Sequence, residues 1–428
     1  MSDPVFDQPA RVTSVRIDGA HHIRQNFLDV LVRAQLAKPR DETVLDALRT
    51  ARDVGHYLVK SDVFQHVEAR LEPGPAKGDI DIVFRTKEKG RYYLRTATEV
   101  GNNEGTASAT GHIRNVFGGG EWLEASISTG TKTRRAFNGT FSAPLDPTLD
   151  TRGEVHVYAS DKDNTSFASC TELLRGARAV LRRGDVRFGL HEMGYEAVLR
   201  HLGGLSESAS LSIREAAGQT VKSFLFHNWT RDTRDNAILG TYGSLIKLRH
   251  EFAGVGGDVR FYKVEGEGQL CRRVVDGVHL SLGARAGLLH SLAGPSRFPD
   301  RFQLGGPTSV RSFRVNSLGP RDGPDAVGGD LMWAAGASLI TDIPRVRTWP
   351  LKAHFYLNAG QLDSLQNSLP LAEAIRASLS RPSVSAGLGL IYMFDPVRVE
   401  LNFGVPLIAR RSDGFRRGVQ FGIGVDFL

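Results

Sequence analysis

Apolar and polar residues alternate with a period of two over most of the chain beyond residue 90. The clearest run is 278–288, VHLSLGARAGL. Val278, Leu280, Leu282, Ala284, Ala286 and Leu288 fall on one side, and His279, Ser281, Gly283, Arg285 and Gly287 on the other. The same rhythm recurs at 123–129, 155–159, 186–192, 353–361, 384–390, 397–405 and 419–427. About sixteen such segments follow one another, separated by Gly, Asn, Asp and Pro, each near the length that a tilted strand needs to cross a bilayer. Alternation alone does not say which row meets water. A large soluble β-sandwich turns its apolar row inward, and a membrane barrel turns it outward. Two features favour the barrel. The polar rows carry small residues and single charges, as a wet lumen would, and the series runs on to an apolar-alternating segment at the last residue. The expected fold class is an all-β membrane protein, a 16-stranded transmembrane β-barrel.

Residues 1–90 have a different texture. RVTSVRI (11–17) reads as a strand with Val15 and Ile17 on one face. Ile23, Phe27, Val30, Leu31 and Ala34 then recur at helical spacing. A second helix is predicted from Thr43 to Val59, with Leu45, Leu48 and Arg52 along one side and Asp41 as its N-cap. Two alternating runs follow, through Val67, Ala69 and Leu71 and, after the turn at Pro73-Gly74, through Ile80, Ile82 and Phe84. The order is strand, helix, helix, strand, strand. The chain therefore divides into an α/β unit over 1–90 and a β unit over 91–428.

Composition sharpens this division. Lys+Arg total 54 and Asp+Glu 47, a net charge of +7. Residues 1–90 hold 14 basic and 14 acidic residues, so the rest holds 40 and 33 and carries the whole surplus. These charges are dispersed singly. They fit a basic lumen better than a nucleic-acid surface, and no nucleic-acid partner is expected. Cys170 and Cys271 are the only cysteines, too few for a disulfide framework or a metal knuckle. The start, MSDPVFDQPA, has no apolar signal core and no Arg-rich presequence character.

Chemistry-bearing motifs are missing. Gly-Lys never occurs, which removes a Walker A loop, and there is no G-x-S-x-G, H-E-x-x-H or G-x-G-x-x-G. We expect no catalytic residue, no metal, no cofactor and no enzymatic activity.

Two long loops stand out. In 364–380, Leu369, Leu371, Ala372, Ile375 and Leu379 predict a short helix. The other, about 291–326, contains SVRSFRVNSLGPRD (309–322) and, within it, Val310-Arg311-Ser312-Phe313, after about eleven candidate strands. This resembles the loop-six V-R-G-F motif of the Omp85 superfamily of barrel-assembly and transport proteins. In that family the loop folds back into the lumen, and its Arg meets a wall strand with an aromatic-x-Asp-x-Gly pattern. Here Tyr356-Leu357-Asn358-Ala359-Gly360 stands in that place, with Asn358 for Asp. The resemblance implies that Arg311 donates to the Asn358 amide oxygen without an ion pair, with Gly360 alongside and Asp330 as an alternative partner. Ser312 replaces the usual Gly, which implies a position with no need of positive φ.

The resemblance spans nearly the whole chain. Residues 1–90 look like one POTRA domain, and 91–428 look like the superfamily's sixteen-stranded barrel. TEVGNNEGTASATGHIRNVFGGGE (98–121), IREAAGQTVKSFLFHNWTRDTRD (213–235) and HFYLNAGQL (354–362) resemble the mitochondrial Sam50 branch. That resemblance implies an insertase of the mitochondrial outer membrane, with the POTRA domain facing the intermembrane space. Its partners would be porin-type and translocase-channel precursors, accessory subunits and outer-membrane lipid. It also implies a lateral gate between the first strand, carrying Tyr92, Leu94, Thr96, Thr98 and Val100, and the last, carrying Gly418, Gln420, Gly422, Val425 and Phe427. The last four of these fit a polar-x-Gly-x-x-hydrophobic-x-hydrophobic end signal. The main rival reading is an outer-membrane metabolite porin, which needs neither residues 10–90 nor the Val-Arg-x-Phe loop.

Overall fold

The computed structural model describes residues 8–37, 43–76, 78–101, 104–185, 187–343, 349–365, 370–394 and 397–424. The N-terminal unit runs β1 (Arg11–Asp18), α1 (Gln25–Leu36), α2 (Val44–Lys60), β2 (Phe64–Pro73) and β3 (Asp79–Glu88). Its sheet has the order β1-β3-β2, with β1 parallel and β2 antiparallel to the central β3. Ile82 and Phe84 of β3 are fully buried against Leu28, Ala51, Val54 and Leu58 of the two helices. The buried face of α2 is thus Ala47, Ala51, Val54 and Leu58, not the expected Leu45–Leu48–Arg52 side, and Leu48 is exposed. Ala47, Ala51, Val54 and Leu58 recur at i, i+4, i+7 and i+11, an apolar stripe whose two alanines let the helix lie close to the sheet. Thr43 caps α2 by accepting from the Asp46 N–H at 3.3 Å, and the expected cap, Asp41, lies outside the described residues.

The second unit is one sixteen-stranded sheet. Its strands are β4 (Tyr92–Gly101), β5 (Glu104–Arg114), β6 (Trp122–Gly130), β7 (Thr133–Pro144), β8 (Thr151–Asp163), β9 (Thr171–Asp185), β10 (Gly189–Gly203) and β11 (Gly218–Asp232). They continue with β12 (Gly243–Gly257), β13 (Phe261–Val275), β14 (Val278–Ser291), then, beyond a small hairpin β15 (Arg321–Asp322) and β16 (Asp325–Ala326), β17 (Leu331–Asp342), β18 (Leu351–Asp363), β19 (Ser383–Phe394), β20 (Val397–Ile408) and β21 (Gly418–Gly424). Each barrel strand pairs antiparallel with its chain neighbour, and β14 pairs with β17 across the long loop. The two ends of the sheet, β4 and β21, lie beside each other and close it into a barrel.

The barrel is inside out relative to a soluble sheet protein. On β20, Leu401 and Phe403 are exposed, while Arg398, Glu400 and Asn402 on the alternate row are buried. On β17 and β18, Leu339, Phe355 and Leu357 are exposed, whereas Ser338, His354 and Asn358 are buried. A continuous apolar belt of this kind is stable in hydrocarbon and not in water, which removes the β-sandwich alternative. No helix among the described residues is long and apolar enough to cross a membrane.

The N-terminal unit rests on the short turns of the barrel. Asn115 Nδ2 donates to the His22 carbonyl at 3.0 Å, Arg24 pairs with Glu121, and Lys60 Nζ donates to the Thr148 carbonyl at 2.7 Å. The long loop 292–330 leaves the barrel at the opposite end and turns back into the lumen. The predicted helix in the other long loop is α3 (Leu371–Ser380), with Leu371, Ile375 and Leu379 exposed; Leu369 lies outside the described residues.

Candidate functional site: loop six and the barrel seam

The long loop supplies the lumen with its apolar core. Val310 and Phe313 are fully buried and cluster with Leu304, Leu318, Met332 and Leu362. Gly360 makes room for this: a Cβ there would stand 2.8 Å from Val310 Cγ2.

Arg311, between these two apolar residues, is also fully buried. Its Nη1 donates to Asn358 Oδ1 at 3.1 Å, as the resemblance implied. Its main partner is a residue that sequence reasoning missed. Glu400 of β20 takes a fork of two bonds, from Nε at 2.9 Å and from Nη2 at 3.1 Å. The expectation of no ion pair is therefore corrected, because the carboxylate comes from two strands further along the wall. Glu400 also pairs with Arg398 and accepts from Asn402 Nδ2 at 2.7 Å, and the Arg311 guanidinium lies over the Tyr356 ring at 5.1 Å. The alternative partner Asp330 is not used: at the head of β17 its Oδ2 accepts the Leu365 N–H at 3.1 Å. A signal for Glu400 existed, since Arg398, Glu400 and Asn402 occupy the polar row of a strand whose other row is Val399, Leu401 and Phe403.

Ser312 departs from expectation too. Its φ is +67°, inside the left-handed region that a Gly would occupy without strain. The surroundings hold it there: the Ser312 N–H donates to Gln420 Oε1 at 2.9 Å, and its carbonyl accepts from the Arg416 N–H at 2.8 Å. Gln420 Nε2 donates in turn to the Phe313 carbonyl at 2.9 Å, and the Arg314 N–H donates to the Gly414 carbonyl at 2.8 Å. Ser385 Oγ donates to the Arg311 carbonyl at 2.6 Å. The motif thus touches β18, β19, β20 and β21.

Two further anchors, also unforeseen, hold the loop elsewhere. Asp300 forms a buried fork with Arg200 of β10, at 2.6 and 3.2 Å, with Lys222 of β11 at 3.4 Å. Burial alone would raise the Asp300 pKa, but the Arg200 and Lys222 cations outweigh it and hold the carboxyl below its ordinary value. At the hairpin, Asp325 accepts from the Ser169 N–H at 2.9 Å and the Ser210 N–H at 2.8 Å, and Asp322 accepts from the Ser212 N–H at 3.0 Å.

At the seam, β21 pairs with β20 from Gly404↔Gly418 to Arg398↔Gly424. No backbone ladder joins β21 to β4 among the described residues. Gly418 opens β21 at φ +94°, which only Gly takes easily, and Gly422 lies in the lumen row with Gln420. Val425 and Phe427 lie outside the described residues. On β4, Tyr92, Leu94, Thr96 and Thr98 are exposed and form the outward row, and the Val100 side chain is outside the described set. The lumen row is Tyr93, Arg95 and Ala97, which with His112 and Glu124 line a cavity of about 340 Å³. Both cysteines are buried and unbridged, and no metal-binding cluster occurs among the described residues.

Residues 115–427 match the model of the Omp85 superfamily domain. A SAM50-like protein of Schizosaccharomyces pombe is 35% identical over 98% of this chain and 91% of its own length. The Homo sapiens sorting and assembly machinery component 50 homolog is 31% identical over 90% of this chain and 84% of its own. Among solved structures, BamA from Haemophilus ducreyi lacking POTRA domains 1–3 superposes with a TM-score of 0.80 at 17% identity, covering 97% of this chain and 84% of that one. The chain belongs to the Omp85 superfamily and, within it, to the Sam50 family.

Proposed function

We infer that this protein is a β-barrel insertase of the mitochondrial outer membrane, folding precursors at a lateral gate between β4 and β21. The observation that carries this reading is the seam. Sixteen strands are joined by fifteen ladders among the described residues, and the missing one is where the ends meet. An unpaired backbone group in hydrocarbon costs several kcal/mol, so such an edge has a strong drive to pair. A partly folded precursor has the same need on its own edges. Edge meets edge by strand addition, and the precursor then grows against a template. The sequence has no nucleotide-binding loop, and the free energy of precursor folding drives the step.

The N-terminal β-α-α-β-β unit is read as a single POTRA domain over about residues 1–90, facing the intermembrane space, with the barrel from 91 onward. Substrates would be porin-type and translocase-channel precursors, received in a complex with accessory subunits. Loop six occupies the lumen with buried side chains, which disfavours a metabolite porin.

The test is assembly of a labelled porin precursor in mitochondria depleted of this protein, followed on native gels. Loss of the mature complex with import across the outer membrane intact is expected. Unchanged assembly would overturn the reading.

A further inference from the structure

The outer wall of β5–β9 carries a depression of about 740 Å³ near the end of the barrel opposite the N-terminal unit. The strand registers explain its shape. One row across five strands reads Ala109, Ile127, Phe137, Ala159 and Arg175. The row above it includes Arg135, Asp161 and Leu173. Ile127 and Phe137 are exposed, whereas Tyr158 and Leu174, on the alternate rows, pack toward the lumen core, so these rows face outward. Ala109 and Ala159 make the floor low on either side of the larger Ile127 and Phe137.

The rim is basic. Arg135 stands two residues inside β7, and Arg175 comes from β9, two strands away. Both are exposed, and neither makes a hydrogen bond or ion pair to a protein group among the described residues. Arg134, by contrast, points to Asp163 at 2.7 Å. Two uncommitted guanidiniums and one carboxylate, Asp161, therefore stand over an apolar trough that opens into the lipid belt. Long basic side chains at this level reach for the headgroup layer, and a phosphate is the anion their forked donors fit.

We propose that this trough is a binding site for one anionic phospholipid, its acyl chain along Ile127, Phe137 and Ala159 and its phosphate between Arg135 and Arg175. The inference rests on the barrel lying in a membrane and not on the insertase reading, so either can fail alone. It places an ordered lipid on the strands that begin one position from the gate.

The full chain in mixed phosphatidylglycerol and phosphatidylcholine nanodiscs, released into detergent and weighed by native mass spectrometry, tests it. Retained phosphatidylglycerol should exceed its share of the bilayer by roughly twentyfold to thirtyfold, since each of the two basic side chains near the headgroup contributes about a factor of five. R135Q/R175Q should abolish this preference, and Arg183→Gln, an outward arginine at the other end of β9, should leave it intact. Ala159→Phe, which fills the trough, should lower retention of both lipids. Inorganic phosphate should not displace the lipid. Equal retention of the two lipids by the unaltered protein, or an undiminished preference in R135Q/R175Q, would overturn the proposal.

Discussion

Gln420, in the last barrel strand, accepts the Ser312 N–H of loop six at 2.9 Å, and its own amide donates to the next carbonyl, that of Phe313. A single side chain thus ties the seam to the lumen loop. Gln420→Leu keeps the shape and removes both bonds, leaving a buried N–H and a buried C=O unpaired at about 1–3 kcal/mol each. Hydrogen exchange at 312–313 and along β21 should quicken while that of the paired β18 does not change. Unaltered exchange would mean that the tie contributes nothing to holding β21.

The Arg311–Glu400 fork should behave as one unit. Breaking a buried pair from one side costs about 3–5 kcal/mol because the survivor stays charged. Arg311→Ala and Glu400→Ala should each lower the temperature at which the barrel unfolds in detergent, and the double variant should lose clearly less than the sum. Arg311→Lys should not rescue, because an ammonium cannot match the two carboxylate oxygens and Asn358 together. Additive losses would count against a direct coupling.

Strain at Ser312 can be tested by size. Ser312→Gly removes a Cβ from φ +67° and should raise stability by up to about 1 kcal/mol. Ser312→Val should lower it, because Gly404 and Tyr356 close around the side chain: a Cβ on Gly404 would already lie 2.4 Å from Ser312 Oγ. Thermal unfolding should rank the residues Gly, Ser, Val. A Val variant as stable as the parent would refute the crowding argument.

Acid should release loop six late. The Asp300 pKa is lower in the folded protein than in the unfolded chain. Its contribution is therefore complete above the unfolded value of about 3.9 and is lost as pH falls through the lower folded value. Protease cleavage within 292–330 in detergent should be flat from neutral pH to about 5 and rise only near and below about 4. Asp300→Asn should raise cleavage at neutral pH. Release of the loop at pH 6 would show that other groups govern it.

Most of the barrel was legible because alternation is a local property: Val397 to Phe403 announces a two-faced strand without reference to anything else. Which face met lipid was not local, and it was settled only when Glu400 and Asn358 proved buried together. Arg311 was singled out from the motif, but its carboxylate lay 89 positions away, where nothing in the motif pointed. Asp300 and Asp325 were invisible for the same reason, their partners being a distant arginine and backbone N–H groups of serines. Ser312 misled because a side chain normally argues against positive φ, and only the closed shell of bonds around it overrides that preference.

The anchors of loop six have a mechanical consequence. Asp300 grips β10 and β11, while residues 311–313 grip β18 to β21, so the loop is a chord drawn across the circumference. A ring braced by a chord keeps the braced arc stiff and bends along the other. The Asp325 hairpin also holds Ser169 between β8 and β9, so the unbraced arc is β4 to β7, whose far end is the free edge at β4. Paired spin labels at Ile127 and Leu225 should therefore broaden in distance when a precursor is bound, while a pair at Leu225 and Phe403 stays narrow. Under the proposed gate, the seam would open as a door hung on one side only, with β4 swinging and β21 as the jamb.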